Sequence, residues 1–446
     1  MSRLMRHMLA AWLIAAFVCA TSGWASAQQS AAVPAEQMLF QYVNAPDSSF
    51  TWEKGPVKPA AVGSISDILL TSQTWRGNVW RHLLRIVKPA SVKYPGWMAL
   101  FISGYSGEPQ LGAPEGDDQA AIAIARSIKA PVAILYRVPN QPMFGGMGED
   151  ALISYTFQEY FKDGDPTWPL LFPMTKSAVR AMDALQQYAK REWREDIGSF
   201  VVFGASKRGW TTWLTAAVDG KRVKAIAPEV DDNLDIRRQM PHQVELWGDY
   251  SWLIRDYSSK GLMQVLDTPR GRTLVTSVDP YTFRARLTMP KLIINGSNDP
   301  YWATDALNFY WDDLVGPKYV LYAPNSGHLL DDHVRVLNTL SAFFRTVASG
   351  KAMPDISWTR HIEGDTLTLT IKAPQANSAR AWVATADNLD FRPQKWEPRE
   401  MHGANGVFAA TIQRPADKNI AVFGEADFTA DGKPFTLSTQ NVILKK

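Results

Sequence analysis

Cysteine is almost missing from this chain: of 446 residues only Cys19 carries a thiol. It falls within the first 27 residues, which read as a leader, so the mature chain would hold no thiol at all. That excludes a disulfide framework, a thiolate nucleophile and a cysteine metal site. Charge of one sign is equally scarce. The 47 Lys and Arg stand against 44 Asp and Glu, a formal net charge of +3, and loss of Arg3 and Arg6 with the leader lowers it by two. The basic residues are scattered among acids and Lys445-Lys446 reads as a solvated tail, so no nucleic-acid partner is expected. No segment beyond the leader offers the run of about 18 apolar residues that a membrane span needs, so no transmembrane anchor is expected after signal cleavage. The 7 histidines include no His-x-x-x-His pair, and His328 and His333 would face different sides of one helix. The glycines at 145, 146 and 148 precede no lysine placed as in a phosphate-binding loop. Neither a metal nor a cofactor is therefore expected.

What the chain does have begins at its N-terminus. Arg3 and Arg6, an apolar run from Met8 to Ala20, and Ala25-Ser26-Ala27 before Gln28 have the three parts of a cleaved signal peptide spanning residues 1–27. Export to the periplasm or the cell exterior is the implied fate.

Further along, strands alternate with helical stretches, the pattern of a mostly parallel sheet whose loops at the strands' carboxyl ends build a site. Ile68 to Trp75 and Trp80 to Val87 read as an antiparallel pair around Arg76-Gly77-Asn78. Trp97 to Ile102 and Pro131 to Tyr136 read as strands, Asp117 to Ile128 and Met174 to Trp193 as helices. Two aromatic-rich insertions, about 139–172 and 232–286, read as lids over the strand ends. Most of their aromatics are expected to form the lids' own small cores. From about 351 to 446 the period becomes two, in Thr366 to Lys372, Ala381 to Thr385, Val407 to Ile412, Ile420 to Phe428 and Phe435 to Val442. This predicts an immunoglobulin-like β-sandwich after an α/β domain of residues 36–350. Trp382 or Trp396 could bind carbohydrate there, although packing is the simpler role.

The most informative stretch is Phe200-Val201-Val202-Phe203-Gly204-Ala205-Ser206-Lys207-Arg208-Gly209-Trp210. An apolar strand breaks into Gly-x-Ser and resumes at helical spacing, the shape of a nucleophile elbow, with the second glycine three residues after the serine rather than two. A plain strand-to-helix turn would show the same short pattern. Two later loops complete the order serine, acid, histidine. Pro290 to Asn295 reads as a buried strand ending in Gly296-Ser297-Asn298-Asp299-Pro300, and Tyr319 to Tyr322 leads to Ala323-Pro324-Asn325-Ser326-Gly327-His328. A serine hydroxyl attacks only when an imidazole takes its proton, and a carboxylate must hold that imidazole in the right tautomer. Ser206, Asp299 and His328 are thus the candidate nucleophile, acid and base. Asp299 could instead belong to a simple Asn-Asp-Pro turn, and His328 could cap a helix starting at Leu329. Glu229, Asp231 and Asp232, after the strand Val223 to Ala227, are rival acids. Asp331 and Asp332 read as partners of a helix dipole. Backbone N–H groups of Lys207 and of Tyr105, in the loop Ser103-Gly104-Tyr105-Ser106-Gly107, are the candidate oxyanion hole.

These residues carry a family resemblance. Leu70 to Trp75 with Trp80-Arg81-His82, Val138 to Pro142, Pro173 to Lys176, Gly204 to Trp213 and Asn298 to Trp302 resemble the PhoPQ-activated pathogenicity-related proteins, secreted α/β-hydrolase-like proteins. The resemblance implies that fold and carries its triad arrangement onto Ser206, Asp299 and His328. It implies no substrate, since the family's name records regulation. The elbow is also similar to that of glucuronoyl esterases, in which an arginine follows the serine; Lys207 stands there instead.

The expected protein is a secreted serine hydrolase of the α/β-hydrolase fold acting on a small-molecule or carbohydrate-linked ester. A peptidase, or a hydrolase-like binding or signalling protein with a vestigial triad, is the alternative.

Overall fold

The computed structural model describes residues 33–104, 107–113 and 116–446; the leader, Cys19 and Tyr105 lie outside them. Nine strands serve the first three-quarters of the chain: β1 (Thr51–Ala60), β2 (Gly63–Trp75), β3 (Asn78–Pro89), β4 (Trp97–Ile102), β5 (Val132–Leu135), β6 (Ser199–Ala205), β7 (Val223–Glu229), β8 (Lys291–Gly296) and β9 (Lys318–Ala323). They lie in the order β1-β2-β3-β5-β4-β6-β7-β8-β9. From β5 through β9 the neighbours are parallel, while β1, β2 and β3 add an antiparallel edge. β5 and β8 are buried along their whole length, as strands covered on both faces must be. The fold is that of an α/β-hydrolase.

The helices are α1 (Ala35–Asn44), α2 (Asp118–Ile128), α3 (Glu149–Asp163), α4 (Leu171–Tyr188), α5 (Lys207–Val218), α6 (Ile236–Trp247), α7 (Arg255–Ser258), α8 (Pro269–Val278) and α9 (His333–Ala348). The helix anticipated over Met174 to Trp193 is α4 followed by one π-turn, Ala189–Trp193. No helix starts at Leu329. α9 begins at His333, where the Asp332 carboxylate accepts the Arg335 N–H at 3.1 Å, so this aspartate serves the positive end of the helix as its position suggested. The first insertion supplies α3, and the second supplies α6, α7 and α8.

The C-terminal strands are β10 (Ser357–Glu363), β11 (Thr366–Lys372), β12 (Ser378–Ala386), β13 (Glu397–Glu400), β14 (His402–Ala404), β15 (Val407–Gln413), β16 (Asn419–Ala430), β17 (Lys433–Ser438) and β18 (Val442–Leu444). All their pairings are antiparallel. One layer is β10-β11-β15-β14; the other, β17-β16-β12-β13, extends the main sheet from β9. The two layers approach so closely that a Cβ on Gly424 would lie 2.5 Å from Ile371 Cδ1. The join to β9 is narrow: a single register pair, Ser438 opposite Val320, and the Tyr322 N–H donating to Ser438 Oγ at 2.9 Å. The apolar core nonetheless continues across it, from Ile128 and Phe343 to Leu369, Val422 and Leu437. Residues Ala35–Lys446 form one compact unit, so residue 350 marks a change of architecture within a shared core. Trp396 is 1% exposed and packs on Phe423 with ring centroids 5.1 Å apart, a packing role. Among the described residues no helix is long and apolar enough to cross a membrane.

Candidate active site

Ser206 stands where β6 turns into α5. Its N–H donates to Glu229 O at 2.8 Å, and its own carbonyl accepts the Trp210 N–H at 3.0 Å. The backbone between them is forced into φ 58°, ψ −125°, a region that costs a non-glycine residue on the order of 1–3 kcal/mol and that occurs where function needs it. The two glycines make the turn possible. A Cβ on Gly204 would sit 2.8 Å from Ile102 O, and one on Gly209 would sit 2.7 Å from Asp231 Cβ and 2.9 Å from Glu229 O. Close approach of α5 to β7 therefore requires glycine three residues after the serine. The first N–H groups of α5, Lys207's included, find no carbonyl within the helix and point their positive end toward the turn.

Asp299 and His328 come from the loops after β8 and β9, which touch: a Cβ on Gly296 would fall 2.4 Å from both Ser326 O and Gly327 O. Asp299 Oδ2 and His328 Nδ1 lie 2.8 Å apart, and Asp299 Oδ1 accepts the Tyr301 N–H at 2.8 Å. A carboxylate can only accept here, so Nδ1 carries the proton and Nε2 is left basic. Nε2 is buried and makes no hydrogen bond among the described residues. The Tyr301 ring covers the imidazole, with centroids 4.2 Å apart. Among the described residues the carboxylate bonded to His328 is that of Asp299 and not of Glu229, Asp231 or Asp232. Asp232 bonds Asn295 Nδ2 at 2.8 Å and the Tyr310 hydroxyl. Asp231 Oδ2 has no partner, and burial pushes the Glu229 carboxyl up to about 7.

Both loops are tied to the C-terminal segment before β13. Asn298 Nδ2 donates to Arg392 O at 2.9 Å and Gln394 O at 2.6 Å. Asn325 exchanges two bonds with Trp396, its Nδ2 donating to the carbonyl at 3.0 Å and its Oδ1 accepting the N–H at 2.7 Å. Ser297 Oγ closes the network by accepting the Asn325 N–H at 2.8 Å and donating to Asn298 Oδ1 at 2.7 Å.

Residues 39–392 match the PhoPQ-activated pathogenicity-related protein family. The chain belongs to that family. It is 30% identical over 432 residues to the autocrine proliferation repressor protein A of Dictyostelium discoideum, covering 87% of this chain and 85% of that one. Among solved structures it is similar to an acetyl xylan esterase from Paenibacillus sp. R4, with TM-score 0.45 and 17% identity over 68% of this chain and 91% of that chain. It is also similar to an S-formylglutathione hydrolase from Agrobacterium tumefaciens, with TM-score 0.41 and 14% identity over 64% of this chain and 98% of that one.

In this PhoPQ-related protein a charged cradle surrounds the elbow that sequence patterns alone did not reveal. Lys207 Nζ binds Asp150 at 2.8 Å, and the Tyr257 and Tyr301 hydroxyls donate to the same carboxylate at 2.9 and 3.3 Å. Arg208 grips Glu149 through both terminal nitrogens, at 2.7 and 2.5 Å, while its Nε donates to Val138 O at 2.6 Å. Burial alone would raise the Glu149 carboxyl; Arg208, with Lys207 behind it, overcomes burial and holds it at about 2. Arg208 also lies flat on Gly104, where a Cβ would be 2.3 Å from its Nη2. The side chain after Lys207 thereby packs on the backbone that follows β4. Beside Ser206 a predominantly apolar pocket opens between α5 and the two insertions. The first insertion's Phe144, Tyr155 and Trp168 cluster with Trp75 away from it, as expected of a small lid core.

Proposed function

We propose that the protein is a serine hydrolase that cleaves carboxylic esters through an acyl-enzyme on Ser206. His328 Nε2 takes the hydroxyl proton as Ser206 Oγ attacks the ester carbonyl carbon. Asp299, buried and bonded to Nδ1, keeps the imidazole in the accepting tautomer and stabilises the imidazolium that forms. The tetrahedral oxyanion faces the N-terminus of α5, where the Lys207 N–H is a donor, with Tyr105 as the intended second. Collapse breaks the bond to the leaving alcohol, which takes its proton from Nε2. Water activated by the same nitrogen then releases the acid and restores the serine. The observation carrying this reading is the His328 Nε2 that is unpartnered among the described residues and held by Asp299 through its other nitrogen, beneath the Tyr301 ring over which Lys207, the residue after the strained Ser206, also lies.

The name of the relative in Dictyostelium favours a second reading, a signalling protein on a hydrolase scaffold. A fluorophosphonate probe separates the two. The hydrolase reading expects one covalent label on Ser206, abolished in a folded Ser206→Ala variant; labelling that survives the substitution, or none in the wild type, overturns it. Export with cleavage after Ala27 belongs to the same reading, and intact-mass measurement should find Gln28 at the mature N-terminus.

A further inference from the structure

The pocket beside Ser206 lies on one side of the reacting centre. Its wall includes Ser206 and Lys207 but neither Asp299 nor His328. On the side toward His328 the pocket is bounded by Tyr301, whose ring covers the imidazole, so it does not reach the nitrogen that a leaving alcohol must approach to collect its proton and is left for the other half of the substrate. Its walls are Trp210 from α5, Phe157 from α3, Met240 from α6, Leu262, and Leu274 with Val278 from α8. None bears a charge. The ions at its mouth are consumed by each other, Lys207 by Asp150 and Asp150 by the two tyrosines. Asp231 and Asn233 also line it, with Asp231 Oδ2 and Asn233 Oδ1 lacking a hydrogen-bond partner among the described residues, and burial, with Asp232 and Asp279 nearby, lifts the Asp231 carboxyl well above the usual range. Predominantly apolar lining of this kind is that of sites that enclose most of a small ligand, and an acetyl group would touch only part of a wall drawn from α3, α5, α6 and α8.

We propose that this pocket is the acyl site and that the enzyme's substrates are esters of hydrocarbon-chain carboxylic acids longer than acetate. The inference rests on the serine-esterase reading and adds the acyl class to it. Each methylene moved from water into such walls is worth about 0.8 kcal/mol, or about fourfold in kcat/KM.

The test uses the full-length protein and p-nitrophenyl acetate, butyrate, hexanoate and octanoate, kept below their aggregation limits. We expect kcat/KM to climb roughly tenfold or more with each two-carbon step until the pocket is full, following the same increment. Leu274→Trp should lower the ratio of octanoate to acetate kcat/KM by at least about tenfold, the loss of two or more buried methylenes. Met240→Trp, from another helix, should do the same if the first variant folds poorly. Acetate turnover with a profile that is flat or falls with length overturns the acyl assignment while leaving the esterase reading standing. Absence of turnover for every ester together with absence of probe labelling at Ser206 overturns the esterase reading and this inference with it.

Discussion

Around Asp299 and His328, directional bonds hold the carboxylate, the Nδ1 edge of the imidazole and both loops: the 2.8 Å bond between the two side chains, the Asn298 and Asn325 amides on the backbone at 392–396, and Ser297 between the loops. On the flank that the pocket occupies, α6, α8 and the turns between them present apolar side chains held by packing. Hydrogen bonds fix position to fractions of an ångström, whereas apolar walls fill space and tolerate substitutions of similar volume. The comparison teaches that the first flank should govern the rate of the chemical step and the second which substrate reaches it.

The sharpest way to break this division is Asp299→Asn, which keeps the geometry but offers the imidazole a donor where it needs an acceptor. Steady-state kinetics should show kcat falling by about 10⁴-fold, while Asp231→Asn and Glu229→Gln each lose less than about tenfold, as groups outside the proton path. Equal losses in all three would place the acid after β7.

Next in size is the brace. Asn325→Ala removes both bonds to Trp396, and Asn298→Ala removes those to Arg392 and Gln394. Displacements of about 1 Å at a catalytic group can cost about 10²-fold, so kcat should drop by roughly 10- to 100-fold with KM nearly constant. A change in KM alone would show that the C-terminal segment shapes binding instead. Truncation near residue 350 opens the shared core and removes the partners of both amides, so it should cost at least as much as Asn298→Ala and Asn325→Ala combined.

On the apolar flank, Leu262→Ala should change kcat for short esters little and reduce kcat/KM for octanoate by about tenfold or more, through lost burial. A parallel fall in kcat for every ester would erase the distinction between the flanks.

The smallest effect concerns stability and pH. Burial, with the charge of Asp117, moves Glu229 from 4.5 to about 7, so the native protein keeps a proton that the unfolded chain releases. Its stabilising contribution is complete below about 4.5, declines as pH rises to about 7 and is constant above. Burial lifts Asp232 and Asp279 to about 7 as well, with the same sign. Glu229→Gln should reduce the drop in Tm between pH 5 and 8 by on the order of a few degrees, without altering probe labelling.

Ser206, Asp299 and His328 could be nominated from sequence because each follows a strand in a local pattern: Gly-x-Ser, Asn-Asp-Pro, Asn-Ser-Gly-His. Local order sufficed to nominate them, and the bond from His328 Nδ1 to Asp299, not to Asp231, came only with the tertiary structure. The cradle was not legible. Lys207 meets Asp150 across 57 residues of sequence, and no periodicity marks the pairing. β1 escaped notice because it is nearly all exposed and carries Gly55, Pro56 and Pro59, residues that an edge strand accepts but that read as loop. The C-terminal strands were visible from their alternation, yet the brace they support depends on side-chain amides reaching backbone 71 to 96 residues away.

The central claim, that His328 and Asp299 drive Ser206 to form an ester with the substrate's acyl group, is tested most directly by rapid acid quench of the enzyme during turnover, followed by peptide mass analysis. The account predicts that the peptide bearing Ser206 gains the mass of the acyl group within the first turnover and that the gain vanishes in His328→Gln. Ester cleavage with no covalent acyl peptide, or with the acyl group on another residue, would contradict it.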